Sequence, residues 1–462
     1  MLMDMKRSLR ERSVYLDEED RLLVKKAIVF AERAHHGQKR MTGEAYVMHP
    51  YHVCEIVMEY GADAITVCAA LLHDVVEDTD YTLSDIRQLF GDDVSLVVEG
   101  VTKITKGTFS KEERAAVNAN KLLCTATEDI RVLLVKIADR LHNMRTLGIK
   151  KIEKRIPYAN ETLLFFAPLA KRLGLIKWQK ELEELGFYYI NQKKYEVLQT
   201  IVDQYGVIMK RVVGVLVEEK VLDDEGISEW TVRKRPIYEA YSLLQEHVCL
   251  RNVYEIEVIT HTILECYQVL GKFHRLHAPV EGMFKDEIAN PTSLFCSQLM
   301  TTVLVGEVLV TICIKTKDEK KREEKGAFAY FEKGKADLGI QQLTNAIIPA
   351  VSLYPIQTEL QDVLAFELFQ TQVIVFTKSL TPISLPKGAT AIDYAFYLQP
   401  DHAKKMTGVL INEVKKPIYT VLQDMDVVEV ISEEHETIHE KWLTYSQTSQ
   451  ALQHIHAHFQ IN

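Results

Sequence analysis

Apolar residues recur three and four apart from about residue 20 to about 200, in stretches such as LVKKAIVFAERAH and HVCEIVMEYGADAITVCAALLHDVVED. That period is the signature of α-helices with one buried stripe, so this part of the chain reads as all-α. The texture then changes. Between about 230 and 350, short runs rich in β-branched residues, such as MTTVLVGEVLVTICIKT, alternate with helical stretches and predict an α/β region. The run KTKDEKKREEKGA (315–327) is a block of charge and reads as a solvated loop or helix face. From 372 to 431, QVIVFTKSLTPISLPKGATAIDYAFYL predicts two strands joined by a turn, then a helix opening at Ala389–Thr390. GVLINEVKKPIYTVLQDMDVVEVIS adds further short strands. The expected organisation is helical over 1–195, α/β over 196–350, a small β module over 372–432 and a helical tail over 433–462.

Composition removes several classes. With 462 residues the chain has room for roughly two to four domains, and 47% hydrophobic content is ample for ordinary cores. A formal charge of −10 is mild at this length, so bulk charge does not mark a nucleic-acid binder, and only local basic patches stay open. The cysteines (Cys54, Cys68, Cys124, Cys249, Cys266, Cys296 and Cys313) show no Cys-x-x-Cys pair. An odd, scattered set reads as reduced thiols in a cytosol, not as a disulfide frame or a zinc site. No run of about 18 apolar residues occurs, so no membrane span is expected. MLMDMKRSLRERSVYLDEED has no signal-peptide core.

One stretch does not fit a plain core helix. LLHDVVEDT (71–79) has an apolar stripe of Leu71, Leu72, Val75 and Val76, yet it also holds His73, Asp74, Glu77 and Asp78. On a continuous helix His73 lies over Glu77 and Asp74 over Asp78. Burying four such groups without partners costs many kcal/mol, and a metal ion removes the problem by making ligands of a His and an Asp. The plainer alternative is a helix end whose acids face water. Two other stretches shift the balance. HHGQKRMTGEAYVMHP places His49 before a proline, after a loop containing Gly37 and Gly43. VLLVKIADRLHNMRTL puts Asp139 in an otherwise apolar helix, with Asn143 and Thr146 on the same face and Lys136 and Arg140 backing it as a wall.

His49, His73, Asp74 and Asp139 then form a mixed imidazole and carboxylate set, suited to Mn²⁺, Fe²⁺ or Zn²⁺ with water in the open positions. Glu77 and Asp78 lie one turn beyond, where a general acid or base reaches a bound water or a leaving oxygen. His142 reads as a histidine packed behind the ligands.

The split pattern His…His-Asp…Asp resembles the HD phosphohydrolase superfamily. The wording is closer still. HHGQKRMTGEAYVMHP, LLHDVVEDT, FGDDVSLVVEGVTKIT, DIRVLLVKIADRLHNMRTL and ETLLFFAPLAKRLGLIKWQKELEELGF, in that order, resemble the hydrolase domain of the Rel/SpoT alarmone enzymes. The resemblance implies a helical, Mn²⁺-dependent domain that removes pyrophosphate from the 3′ position of (p)ppGpp in the bacterial cytoplasm. By position it makes His49, His73, Asp74 and Asp139 the metal ligands and Glu77 and Asp78 the catalytic pair. It assigns Arg40, Thr42, Asn143 and Thr146 to the nucleotide. Met41 stands where the family often has Lys, which removes one charge contact.

The α/β region resembles the nucleotidyltransferase-like (p)ppGpp synthetase domain of the same enzymes in RKRPIYEAYSLL, ECYQVLGKFHRLHAPVEGMFKDEIANP and VTICIKT. Gly271, His274, Pro279, Phe284, Lys285, Asp286 and Pro291 keep its framework. The lysine after the family's Arg-Pro is missing. Thr311 and Cys313 stand for its Glu and Gln, and Cys296 and Met300 for its Tyr and His. The resemblance thus implies a pseudo-synthetase. Residues 372–432 resemble a TGS domain, a β-grasp module that contacts tRNA on the ribosome or regulatory proteins in long relatives. Leu398 and Gln399 replace the family's Ile-His pair, against tRNA reading. The tail histidines His454, His456 and His458 read as surface residues.

Two readings compete with alarmone hydrolysis. One is an HD phosphohydrolase for another 3′-phosphorylated nucleotide such as NADPH. The other is a regulator that binds nucleotide without turnover, which the Glu77–Asp78 pair argues against. A fragment ending near residue 200 is expected to fold and bind Mn²⁺ but to turn over more slowly than the full chain.

Overall fold

The computed structural model describes residues 2–103, 111–223, 225–245, 253–291, 294–331, 372–378, 382–423, 426–433 and 435–459. Their contacts divide the chain into two compact units, Met1–Val98 with Leu134–Leu343, and Glu99–Leu133 with Thr344–Asn462. The stretch 351–371, between the expected α/β and β regions, and the end of FGDDVSLVVEGVTKIT lie outside the described residues.

The helical part runs α1 (Leu2–Arg12), α2 (Glu18–Ala34), α3 (Met48–Met58), α4 (Ala64–Leu72), α5 (Val75–Asp78), α6 (Leu83–Phe90), α7 (Asp92–Val101), α8 (Lys111–Glu128), α9 (Arg131–Arg145), α10 (Ile152–Glu161), α11 (Ala167–Arg172) and α12 (Ile176–Ile190). Helix α1 begins earlier than the hydrophobic period suggested, because two apolar residues four apart, Met5 and Leu9, suffice to bury one face. Helix α4 starts where the Asp63 carboxylate accepts the amide of Thr66 at 3.0 Å, a standard N-cap. Its residues are almost all buried, so it is a central helix. The continuous helix expected through LLHDVVEDT is broken: α4 ends at Leu72, His73 and Asp74 form the bend, and α5 is a single turn. The bend lets two ionisable side chains leave an apolar helix at its end rather than through its middle.

The α/β region contributes α13 (Gln192–Glu218), β1 (Ile227–Lys234), α14 (Ile237–Gln245), β2 (Tyr254–Thr260), α15 (Ile263–Leu276), β3 (Lys285–Asp286), β4 (Leu299–Val305), β5 (Val308–Thr316) and α16 (Lys317–Lys325). The sheet order is β1-β2-β5-β4-β3, with β2 and β5 parallel and the other pairs antiparallel. MTTVLVGEVLVTICIKT is the β4–β5 hairpin, turning at Gly306 (φ +60°). Met209, Val212 and Leu216 of α13 and Phe273 of α15 pack with Val258 and Ile312 of the sheet. The charge run resolves as α16, a helix with no buried residue, capped by the Thr316 hydroxyl accepting the amide of Glu319.

After α16 the chain turns back to the helical part. Ala327 donates its amide to the carbonyl of Leu173 at 2.8 Å. Phe328 is fully buried, with its ring centroid 5.2 Å from that of Tyr60 and 5.6 Å from that of Trp178. Gly326 (φ +51°) makes this possible, since a Cβ there would stand 2.6 Å from the carbonyl oxygen of Gly174.

In the second unit, β6 (Gln372–Thr377), β7 (Pro382–Pro386), β8 (Met406–Ile411), β9 (Val414–Lys416) and β10 (Val427–Ser432) form a sheet in the order β7-β6-β10-β8-β9. The helix Ala391–Leu398 opens with a capping box between Thr390 and Asp393. One oxygen of the buried Asp393 accepts the amide and hydroxyl of Thr390; the other accepts the amides of Gln447 and Thr448 and the Thr448 hydroxyl. A single carboxylate thus serves the starts of two helices. The tail is not helical throughout: it is a 3₁₀ turn (Glu440–Thr444) and a helix (Ser449–Phe459), which bury Trp442 and Ile455 with Phe396. His454 stacks on Phe396 with centroids 5.7 Å apart, so it packs rather than projects. Among the described residues no helix is long and apolar enough to cross a membrane.

Candidate metal centre

His49, at the start of α3, His73 and Asp74, at the end of α4, and Asp139, in α9, come together in the first unit. His49 Nε2 stands 3.1 Å from Asp139 Oδ1 and 3.5 Å from Asp74 Oδ2. His73 Nε2 stands 3.3 Å from Asp74 Oδ1 and 3.8 Å from Asp139 Oδ1. With bonds of about 2.1 Å to one ion, donor atoms at right or tetrahedral angles are roughly 3.0–3.4 Å apart. Two of the observed separations fall in that range and two lie slightly above it.

The ring orientations point the same way. His73 Nδ1 lies 2.8 Å from the carbonyl of Ala70 and must donate to it. In the neutral ring Nε2 then carries the lone pair, and this buried atom makes no hydrogen bond. On the other imidazole, His49 Nδ1 is 2.7 Å from His142 Nδ1. Burial, and then His49 and Arg40, hold the pKa of His142 down to about 2, so the neutral His142 accepts from His49 Nδ1 and the Nε2 of His49 faces Asp139 Oδ1. His142 is therefore the packed histidine that the sequence suggested, one ring behind the ligand and stacked on His52.

The electrostatics favour a cation. Burial pushes the Asp74 carboxyl upward, yet His73 and His49 reverse this and hold it below the usual carboxylate range. Asp139 behaves alike: burial raises it, and Lys136 (3.5 Å away), His49 and His73 bring it well below. Burial opposes charge on His73, but Asp74 and Asp139 prevail and push its pKa up to about 9. A cluster that draws a proton onto a buried imidazole draws a divalent ion for the same reason. An unbonded buried nitrogen, two carboxylates and a second oriented imidazole fit such an ion.

The remaining predicted residues are placed unevenly. Glu77 is half-buried and Asp78 exposed on the single turn α5. Arg40 Nη2 donates to Asn143 Oδ1 at 3.1 Å, and Asn143 Nδ2 donates to Asp139 Oδ1 at 2.5 Å, so these residues form one chain into the centre. Thr146 turns its hydroxyl to the carbonyl of His142 on its own helix. Thr42 is exposed on the Arg40–Gly43 turn, apart from that chain, and Met41 beside it is exposed too. Arg140 does not back the site. It lies between the rings of Tyr158 and Phe166, 3.9 Å from each, and bonds Glu161 at 2.9 Å, because one helical step past Asp139 rotates it by about 100° away from the centre.

Sequence reasoning missed Tyr46. Its hydroxyl lies 2.9 Å from Asp74 Oδ2 and 2.5 Å from Asp78 Oδ2. Burial, then Asp74 and Asp78, raise its pKa far above the usual phenol, so it stays a donor. The only available signal was its place three residues before His49.

The HD domain family matches residues 27–176, a span that holds every predicted site residue, and the TGS domain family matches residues 373–432. Fold and site together define an HD-domain protein that also carries a mixed-sheet region and a TGS module. Similar along most of its length are a guanosine-3′,5′-bis(diphosphate) 3′-pyrophosphohydrolase of Aquifex aeolicus (35% identity over 93% of this chain and 63% of the relative) and a GTP pyrophosphokinase of Myxococcus xanthus (33%, 96% and 61%). The bifunctional (p)ppGpp synthase/hydrolase SpoT of Escherichia coli is similar too (34% identity over 95% of this chain and 64% of the relative). The chain is thus similar over nearly all of its length to enzymes of the Rel/SpoT family. It spans 61–64% of the length of these relatives.

Proposed function

We propose that the chain hydrolyses the 3′-pyrophosphate of (p)ppGpp, releasing GDP or GTP and pyrophosphate, in a Mn²⁺-dependent reaction that lowers the alarmone of the stringent response. The observation that carries this is the unbonded Nε2 of His73 among two carboxylates and a second oriented imidazole, one turn from Glu77 and Asp78. His49, His73, Asp74 and Asp139 would hold the ion. When bound, Mn²⁺ supplies a Lewis acid that activates water and offsets charge on the phosphoryl oxygens. Glu77 and Asp78 take a proton from the attacking water and return one to the leaving 3′ oxygen. Arg40, held by Asn143, faces the substrate's negative charge, and Thr42 and Thr146 sit at the nucleotide's edge. The names of the pyrophosphohydrolase and bifunctional relatives support the substrate.

The division into a hydrolase part (1–195), a synthetase-like part (196–350), a TGS module (372–432) and a tail (433–462) is part of the same reading. So is the inactivity of the second part, although a GTP pyrophosphokinase and a bifunctional synthase/hydrolase are among the relatives. A cavity of about 380 Å³ opens on its sheet, lined by Cys296, Met300 and Cys313 and by five basic and five glutamate side chains. Four of those glutamates are in ion pairs: Glu257 with Lys315 (3.3 Å) and Arg233 (2.5 Å), Glu255 with Arg235 (3.3 Å), Glu239 with Arg235 and Glu323 with Lys315. Three of the five cations, Arg233, Arg235 and Lys315, are thus already neutralised by the protein, which makes the cavity a poor holder of a nucleotide triphosphate. The buried Thr311 hydroxyl faces that of Thr302 at 3.1 Å and offers no carboxylate for phosphoryl transfer. The TGS module is assigned a regulatory contact, with a protein or tRNA, in the cytoplasm.

The test is direct. Full-length protein with Mn²⁺ should convert ppGpp to GDP and pyrophosphate and leave NADPH untouched. GDP absent under these conditions refutes the hydrolase reading. An Asp139→Ala chain given ATP and GDP should make no ppGpp, and its appearance refutes the pseudo-synthetase.

A further inference from the structure

We infer that Tyr46 is a positioning residue that couples the metal-side carboxylate Asp74 to the proton-transfer carboxylate Asp78. Its consequence for turnover rests on the hydrolase reading above; its consequence for metal binding does not. The problem it solves is local. Asp78 sits on α5, a helix of four residues held by the amide of Asp78 on the carbonyl of Asp74 and that of Thr79 on Val75. So short a helix has no cooperative stability of its own. Its exposed carboxylate would otherwise sample several rotamers.

The segment before α3 grips Asp78 twice. Gln38 Nε2 donates to the backbone carbonyl of Asp78 at 2.6 Å, and the Tyr46 hydroxyl reaches its carboxylate at 2.5 Å. The grip is itself braced. Tyr46 stacks on the buried His35 (centroids 4.8 Å apart), and His35 Nδ1 donates to Gln38 Oε1 at 2.8 Å. The amide of Tyr46 donates to the carbonyl of Gln38 at 3.0 Å, which closes the loop.

The hydroxyl has one proton and two carboxylates within reach. It serves one at a time. A divalent ion on Asp74 withdraws that residue's lone pairs, and the proton then turns to Asp78 and fixes it. Tyr46 thereby makes the placement of Asp78 depend on a filled metal centre, and removing the hydroxyl should disturb both sides.

Tyr46→Phe in the full chain tests this, since it keeps the ring on His35. Mn²⁺ binding, read by electron paramagnetic resonance of the free ion, should tighten by about fivefold, because Asp74 no longer has to give up the Tyr46 proton, and kcat for ppGpp at saturating Mn²⁺ should fall by roughly 10- to 100-fold. KM and Tm should stay close to the parent's. With Asp78→Asn, the losses in kcat should be non-additive, because Tyr46 acts through Asp78. Parental Mn²⁺ affinity in Tyr46→Phe, or kcat losses that multiply in the double variant, overturn the inference. Should the parent prove inactive on ppGpp, the hydrolase reading falls and the Mn²⁺ measurement alone decides. Should Tyr46→Phe fail to fold, Gln38→Ala takes its place: lower kcat at parental Mn²⁺ affinity supports the clamp, and unchanged kcat overturns it.

Discussion

The first unit crowds ionisable side chains into two places, and the two have opposite chemistry. At the cluster of His49, His73, Asp74 and Asp139, the groups are oriented from behind by Ala70, His142 and Asn143, while the inward Nε2 of His73 makes no hydrogen bond and faces carboxylates shared with His49. In the sheet cavity, each charge faces one of opposite sign: Lys315, Arg233 and Arg235 form ion pairs with Glu239, Glu255, Glu257 and Glu323, although both Glu257 oxygens and Arg235 Nε make no hydrogen bond. Charge density alone therefore does not mark a reactive site. What marks it is whether the protein has left the charge for something else to satisfy.

This contrast can be broken by experiment. Asp139→Ala removes a ligand from a centre that has no substitute. Hydrolysis of ppGpp at low Mn²⁺ should fall more than about 1,000-fold, equivalent to roughly 4 kcal/mol, with EDTA matching it in the parent and Mn²⁺ restoring only the parent. Full activity in the variant would reject the assignment. Lys315→Met makes the converse cut: Glu257 keeps Arg233 and Lys320 but loses its one almost fully buried partner, and Glu323 loses Lys315, so the change should cost about 2–3 kcal/mol of folding stability by urea unfolding. A loss under 1 kcal/mol would mean that the cavity is not a structural ion-pair lattice. Glu77→Gln should lower kcat by about 100-fold, roughly 2.7 kcal/mol, while Mn²⁺ content stays at the parent's level. Metal lost together with rate would make Glu77 a support of the centre rather than a proton carrier. The smallest effect is expected from a fragment ending near residue 200. It keeps every ligand but loses Phe328 from beside the Tyr60–Trp178 pair, and its hydrolysis should be slower by at least about fivefold, within the usual range of coupling between domains. Equal kcat and KM would show that the sheet region does not influence the centre.

Much of this was legible from residue types at helical and strand spacing. His49, His73, Asp74 and Asp139 are polar residues in apolar helices, which local pattern exposes at once. The β4–β5 hairpin and the Thr390 cap were legible for the same reason: both depend on neighbours within a few positions. What escaped depends on neighbours far along the chain. Tyr46 looks like any loop aromatic until α5 is brought against it. Arg140 and Lys136 are both near Asp139 in sequence, and only packing against Tyr158 and Phe166 turns the first away. The break at His73 was hidden because a bend with near-helical dihedrals leaves the hydrophobic period almost unchanged.

Phe328 also sets a clock. Tyr60 and Trp178 emerge from the ribosome long before the ring that closes their pocket, and residues 179–327 must be made in between. At about 5–20 residues per second, that interval is roughly 7–30 s. Throughout it the helical part carries an open aromatic face, so the nascent chain is most vulnerable to aggregation and proteolysis after its metal ligands have all been synthesised and before residue 328 arrives.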